Sequence, residues 1–124
     1  MAAIIVGVLR FRDVFKGDLF DVSIKITGIY LTGKTLRCQV RENADADPVL
    51  TFSEDDGSLT TTITAANTTT VRFYKEAEDM DVPVLADGAL YQLTIVMFTD
   101  DSAIEDTLTI VEGDMQVVDQ YTIL

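Results

Sequence analysis

The chain has no histidine, no tryptophan, one cysteine and two prolines among its 124 residues. Without histidine it lacks the usual general base near neutral pH, the partner of most catalytic serines and cysteines, and the commonest ligand of zinc and non-haem iron. A single cysteine cannot form a disulfide within the chain. We therefore expect no enzymatic activity, no catalytic residues, no cofactor and no bound metal.

Basic residues are also scarce, because 9 lysines and arginines face 21 acidic residues and the net charge is −12. Phosphate backbones and anionic membranes bind clustered lysine and arginine, so we expect neither nucleic acid nor membrane as a partner. The charge is unevenly placed: residues 1–41 carry seven basic and three acidic side chains, and residues 42–124 carry two and eighteen. This separation is compatible with head-to-tail association of copies, which can close into a ring. The alternative is that both sets are solvated strand faces and loops.

Long hydrophobic runs are missing apart from the start of the chain. The segment from Met1 to Leu9 is apolar, but no positive charge precedes it, and Arg10 and Arg12 follow. A transmembrane helix needs about 20 apolar residues, and a secretory signal needs a charged flank and a cleavage site. We therefore expect synthesis and folding in a cytosol. Cys38 alternates with polar neighbours, which predicts a buried, inert thiol.

Valine, isoleucine and threonine are abundant and make up 39 of the 124 residues, as is typical of β-strands. Apolar and polar residues alternate, for example from Val22 to Ile26 and from Leu36 to Val40. Turn residues recur at short intervals between these runs. The pattern predicts strands near residues 3–12, 19–29, 35–42, 48–53, 59–64, 68–74, 90–99, 103–111 and 115–122.

These elements predict an all-β fold, an antiparallel two-sheet immunoglobulin-like sandwich of seven to nine strands in a single domain of residues 1–124. A short helical turn is expected near residues 75–81, with Met80 and Val82 closing one end of the sandwich. The apolar run Leu90–Phe98 is expected to be a central strand covered on both faces. Tyr91 is either a tyrosine corner, with its hydroxyl bonded to upstream backbone, or an ordinary half-buried tyrosine.

Carboxylates are the only abundant reactive groups. Asp100, Asp101 and Glu105 could supply part of a calcium shell, although no Asp-x-Asp-x-Asp-Gly spacing occurs and acidic turns commonly serve solubility. A glycosidase pair needs only two carboxylates but also a cleft, for which the chain shows no insertion. The threonine-rich segment Leu59–Val71 predicts a hydroxyl-lined strand pair. That face could bind a partner's edge or sugar hydroxyls, or could simply reflect the strand preference of threonine.

The order of several motifs resembles a known family. Gly17–Phe20 opens a strand, and Leu31–Arg41 reads Leu-Thr-Gly-Lys-Thr-Leu-Arg-Cys-Gln-Val-Arg. This pair, followed by Val49–Phe52, Gly88–Tyr91 and Thr107–Gly113, resembles immunoglobulin-like domains encoded by tailed phages and prophages, including the N-terminal domains of baseplate upper proteins. The resemblance spans residues 17–118. Residues 1–16 form an N-terminal strand or arm outside it, and residues 119–124 form a C-terminal tail.

The resemblance implies a virion structural protein without catalytic residues. Such modules are commonly homotrimers that anchor a fibre or receptor-binding part to a tail, baseplate or head, so the implied partners are the chain itself and other virion proteins. The alternative is a small acidic inhibitor that mimics DNA and occupies a host enzyme. The apolar ends are either ordinary edge strands or subunit contacts; the expected contact residues are Ile4, Ile5, Val6, Arg10, Arg12, Ile123 and Leu124.

Overall fold

The computed structural model of the protein describes residues 3–85, 89–98 and 108–118. For residues 3–6 and 13 it describes the backbone only. Regular structure in these ranges is almost entirely β-strand, with one short 3-10 helix at Ala77–Met80. The strands are β1 (Ala3–Phe15), β2 (Phe20–Thr27), β3 (Thr35–Arg41), β4 (Pro48–Ser53), β5 (Leu59–Ala65), β6 (Thr68–Lys75), β7 (Tyr91–Phe98) and β8 (Leu108–Val118).

The strands form two sheets. The larger sheet has the order β1-β8-β7-β3-β4, and the smaller has the order β2-β6-β5. Every pair is antiparallel except β1 and β8, which run parallel. Immunoglobulin domains place strands B, E and D in one sheet and G, F and C in the other, which is the order found here. The fold is therefore an immunoglobulin-like β-sandwich, and the predicted fold class is confirmed.

The core lies between the sheets because alternate residues of each strand point inward. In β3, for example, Leu36, Cys38 and Val40 are buried, whereas the residues between them are half-buried on the outer face. Burial removes water from around the Cys38 thiol and raises its pKa, so the thiolate does not form at neutral pH. The predicted buried, inert state of this cysteine agrees with its position.

Four phenylalanines form the centre of the core. Phe11 of β1, Phe20 of β2, Phe52 of β4 and Phe73 of β6 make a chain of ring contacts with centroids 5.2 to 5.7 Å apart. Three of the four contacts are edge-to-face, the geometry that the ring quadrupoles favour. These rings join the two sheets where antibody domains use a tryptophan packed on an inter-sheet disulfide.

One end of the sandwich is closed by the segment between β6 and β7. Met80 and Val82 are buried, as the sequence predicts, and the Met80 carbonyl accepts a hydrogen bond of 2.9 Å from the Gly17 amide. The Tyr91 hydroxyl donates a hydrogen bond to the Pro83 carbonyl, eight residues upstream. Tyr91 thus forms a tyrosine corner, and Leu93 stands two residues on, where immunoglobulin domains carry their second cysteine.

Two of the predictions for the larger sheet are wrong. The Glu112–Asp114 segment is not a turn between two strands, since β8 runs unbroken from Leu108 to Val118. Strand β7 is central, as predicted, but only its inner face is covered; its outer face presents Gln92 to solvent. The outward Thr94 and Val96 of β7 lie beside polar side chains of β3 and β8, so the many apolar residues of this strand do not bring burial on both faces.

Among the described strands of the larger sheet, the basic and acidic parts of the sequence interleave and do not form two separate poles. In the larger sheet, β1 and β3 come from the basic part of the chain, and β8 and β7, from the acidic part, lie between them. Arg12 pairs with Asp114, and Lys16 pairs with Asp81 at 3.4 Å. Part of the charge that suggested head-to-tail association is therefore matched within one molecule.

Candidate interaction surfaces

The first candidate surface is strand β1, which carries five of the predicted contact residues. Ile4, Ile5, Val6, Arg10 and Arg12 all belong to this strand, which pairs only with β8 among the described residues and forms an edge of the larger sheet. Ile123 and Leu124 lie outside the described residues. An edge strand offers unpaired backbone groups to another chain, so β1 has the geometry that a subunit contact by strand addition requires.

From Val8 to Arg12, the side chains of β1 alternate between the inner and outer faces of the larger sheet. Leu9 and Phe11 point toward the core, and Val8, Arg10 and Arg12 point outward. Val8 is 65% exposed. Arg12 also donates to the Phe11 carbonyl while paired with Asp114, which fixes its position on the outer face. Arg10 is exposed and lies opposite the same aspartate in the parallel register.

A shallow groove of about 150 Å³ lies between β1 and β2, where the edges of the two sheets approach each other. Gly7, Val8 and Leu9 line one side, Ile24–Thr27 line the other, and Val111 contributes from β8. Both strands are edges within the described part of the chain. The exposed valine, the groove and the open edge thus occur together along β1.

Gly113 allows β1 to lie close to β8. A Cβ atom at this position would lie 1.7 Å from the Leu9 carbonyl oxygen and 2.7 Å from the Leu9 carbonyl carbon, far inside contact distance. Leu9 and Gly113 are partners in the β1/β8 register. A glycine flanked by acidic residues predicts a turn, and this prediction is wrong because Gly113 lies within β8 at a close backbone approach.

The second candidate surface is the outer face of β3, β7 and β8. A groove of about 430 Å³ runs over this face, lined by Arg37, Gln39, Arg41, Ala44, Gln92, Thr94, Val96 and Thr109. The Arg37 guanidinium lies over the Phe98 ring at 4.8 Å, and the Arg41 Nε donates to the Ala46 carbonyl at 3.0 Å. In the sequence, Arg37, Gln39 and Arg41 are simply the polar residues of an alternating strand. Nothing in that pattern indicates a binding surface.

The outer face of the smaller sheet is the hydroxyl-rich face that the threonine-rich segment predicts. Arg72 donates two hydrogen bonds of 2.8 Å to the carboxylate of Asp21 across β2 and β6, and it also lies over the Tyr74 ring at 5.1 Å. The Arg72 hydrogen bond lowers the pKa of Asp21. Ile63 does not belong to this outer face, because its register partner is the buried Thr69, but it is 45% exposed since β5 is an edge strand.

The acidic turn after β4 is partly structural. Glu54 accepts a hydrogen bond of 2.8 Å from the Leu36 amide and one of 3.1 Å from the Thr61 hydroxyl, so a single carboxylate links β3 of one sheet to β5 of the other. Beside it, Ser58 donates to Asp56, and this hydrogen bond lowers the pKa of that carboxyl group. The sequence predicts only a solvated acidic turn here, because the contacts of Glu54 with β3 and β5 depend on the tertiary fold.

No group of three or more acidic or cysteine side chains that could hold a metal ion occurs in residues 3–85, 89–98 and 108–118. A pocket of about 320 Å³ beside the 3-10 helix is lined by Asp56, Glu76 and Asp79, but Lys75 lies among them. Asp100, Asp101 and Glu105, the calcium candidates, lie outside the described residues. None of the helices in the described ranges is both long and apolar enough to cross a membrane.

Comparison with known proteins shows distant structural similarity without a sequence match. No family model matches the sequence, and no curated protein matches it. The solved structure of the first immunoglobulin domain of mouse SynCAM 2 is 12% identical, covers 90% of this chain and 94% of that chain, and superimposes with a TM-score of 0.39. The immunoglobulin-like assignment follows from the strand order described above.

Proposed function

We propose that this protein is a structural component of a tailed-phage virion, a homo-oligomeric adaptor, trimeric by the resemblance, that docks or anchors a tail, baseplate or head fibre. It acts through static contacts at its surface and turns over no substrate. The resemblance over residues 17–118 supports the virion assignment. The observation that carries the docking role is the edge of β1, which pairs only with β8 within the described part of the chain and is long, free of proline and apolar from Ala3 to Leu9.

The edge of β1 is less protected than the edges of β4 and β2, and β1 is nearly twice as long as the uncharged edge strand β5, which has seven residues. Natural edge strands avoid pairing with other chains by being short or by carrying charge or proline. β4 is six residues long and begins at Pro48, and β2 carries Asp21 and Lys25. β1 has thirteen residues and no charge before Arg10. An unprotected edge of this length is costly to keep unless a partner covers it.

The test combines the assembled particle with the isolated chain. Mass spectrometry of purified virions should find the protein at fixed stoichiometry, and native mass spectrometry of the chain should show a trimer or another closed oligomer. Removing residues 1–9 should loosen that oligomer. Val8→Lys should loosen it without shortening the chain, because the new charge would have to be desolvated in a contact along β1.

Ile63→Lys is the matched control, since it places the same charge at an exposed apolar position on the edge strand β5 and should leave the oligomer intact. A monomer at tens of micromolar, or equal effects of the two substitutions, would refute the role of β1. Absence from virions, together with salt-sensitive capture of a host nuclease or polymerase, would instead favour the DNA-mimicking inhibitor.

A further inference from the structure

We infer that the outer face of the larger sheet is a self-complementary surface through which two copies of this chain pair face to face. The face consists of the outward side chains of β8, β7 and β3, together with the groove of about 430 Å³ that they line. This inference does not rest on the virion assignment or on the β1 contact. It rests on how charge is ordered across the strands.

Charge on this face is arranged in strips that follow the strands. β8 presents the exposed Glu112 and also Asp114, which is paired with Arg12 of β1. The central β7 presents the neutral Gln92 and Thr94, and β3 presents Arg37 and Arg41 on either side of Gln39. Glu112, Thr94 and Gln39 lie at one level, since Thr94 is the register partner of both others. An acidic strip and a basic strip thus flank a neutral one, each about 4.8 Å from it.

This order selects one geometry for a symmetric pair. A two-fold axis that lies over β7 and runs parallel to it places β8 of one copy over β3 of the other. Residues at the same position along the strands then face each other. Glu112 of each copy then faces Gln39 of the second copy, between its two arginines. A two-fold axis perpendicular to the strands would instead oppose β8 to β8 and β3 to β3, like charge against like. Charge complementarity therefore favours the parallel axis.

The size of the face limits the strength of the contact. Three strands at about 4.8 Å and seven residues at about 3.3 Å give about 330 Å² on each copy. Two such faces bury about 670 Å², below the roughly 1,000 Å² that stable specific interfaces need and within the range of weak, transient contacts. Together with its polar composition, this predicts a weak, reversible pair that salt dissociates, since exposed ion pairs are screened.

Gln39 gives the sharpest test because substitutions of opposite charge there have opposite expected effects. Sedimentation at low salt should show even-numbered species: dimers, or pairs of whatever oligomer the β1 edge forms. Gln39→Glu, which is nearly isosteric, places a carboxylate against the facing Glu112 and should weaken pairing about threefold. Gln39→Lys should strengthen it about threefold. In the Glu112→Gln background, the difference between the two variants should disappear.

Thr70→Glu and Thr70→Lys make the same changes in net charge at a half-buried outward position on the central strand of the other sheet, and they should not alter pairing. If the glutamate and lysine variants differ in pairing as much at Thr70 as at Gln39, then net charge, and not this face, governs association. That result would overturn the inference. So would a wild-type chain that forms no even-numbered species at about 200 µM in low salt. If such a chain is nevertheless present in virions, the proposed function stands without this surface.

Discussion

Replacing Gly113 by alanine tests whether close contact between β1 and β8 holds the N-terminal strand in place. The added Cβ would begin 1.7 Å from the Leu9 carbonyl oxygen, whereas real Cβ contacts stay beyond 3.0 Å, so the two strands must separate by at least 1.3 Å. A separation of that size takes the nearest backbone hydrogen bonds beyond hydrogen-bonding distance. It also loosens Phe11, the β1 member of the phenylalanine core.

The magnitude follows from the bonds involved. Two or three hydrogen bonds at about 0.5–1.5 kcal/mol each, together with partial exposure of Leu9 and Phe11, give a loss of about 2–4 kcal/mol. This is a large share of the 5–15 kcal/mol that typically stabilises a domain. Urea denaturation measures the loss. Hydrogen exchange locates it, since amides of β1 should exchange faster than those of β7.

Gly7→Ala is the matched control because the same methyl group, added at another glycine of the β1/β8 pair, meets no atom within 4 Å. It should be neutral or slightly stabilising, since alanine restricts the unfolded chain more than glycine does. The reasoning is refuted if Gly113→Ala costs less than about 0.5 kcal/mol, or if the two alanines destabilise the protein equally.

Three further predictions concern the core and its titratable groups. Tyr91→Phe removes the hydrogen bond to the Pro83 carbonyl and should lower the free energy of unfolding by about 1–2 kcal/mol in urea. Cys38 should react with a thiol reagent only when the domain unfolds, because its thiol is buried and its pKa is raised. Arg72 lowers the folded-state pKa of Asp21, so this carboxylate stabilises the fold above about pH 5 and ceases to do so as the pH falls through its folded value. Asp21→Asn should therefore lose less stability than the wild type between pH 5 and pH 3.

Each of these has a direct control. Tyr30→Phe removes a hydroxyl from a side chain that is 57% exposed and should change stability by less than about 0.5 kcal/mol. Rapid labelling of Cys38 under native conditions, with the reagent rate unchanged by guanidinium, would contradict its burial. Parallel pH profiles for Asp21→Asn and the wild type would show that the pair with Arg72 contributes nothing to folding.

The fold was predictable because its signals are local and repeated. Alternation in segments such as Leu36–Val40 depends only on which face of a strand is buried, so both the strand and its inner residues follow from the sequence. The 3-10 helix and the burial of Met80 and Val82 were predictable for a similar reason. An acidic segment without β-branched residues leads there into two apolar residues, which close one end of the sandwich.

The candidate surfaces were less predictable because they depend on which strands become neighbours. Nothing near Gly113 in the sequence shows that Leu9 will lie against it, so the sequence predicts a turn at this glycine. The pairing of Thr94 with both Gln39 and Glu112 likewise sets two polar side chains level across three strands. Such relations arise from the strand order, which alternation alone does not specify.

The parallel pairing of β1 with β8 has a consequence for synthesis. On the ribosome, the smaller sheet has all its strands once Lys75 has left the exit tunnel, but β1 has no neighbour in the larger sheet until β8 follows about a hundred residues after it. Among the described strands, the earliest to be made is thus the last to gain its neighbour in the sheet. A nascent chain must carry this apolar strand without that neighbour until β8 is made, so slow translation between the two would favour aggregation and chaperone binding at this segment.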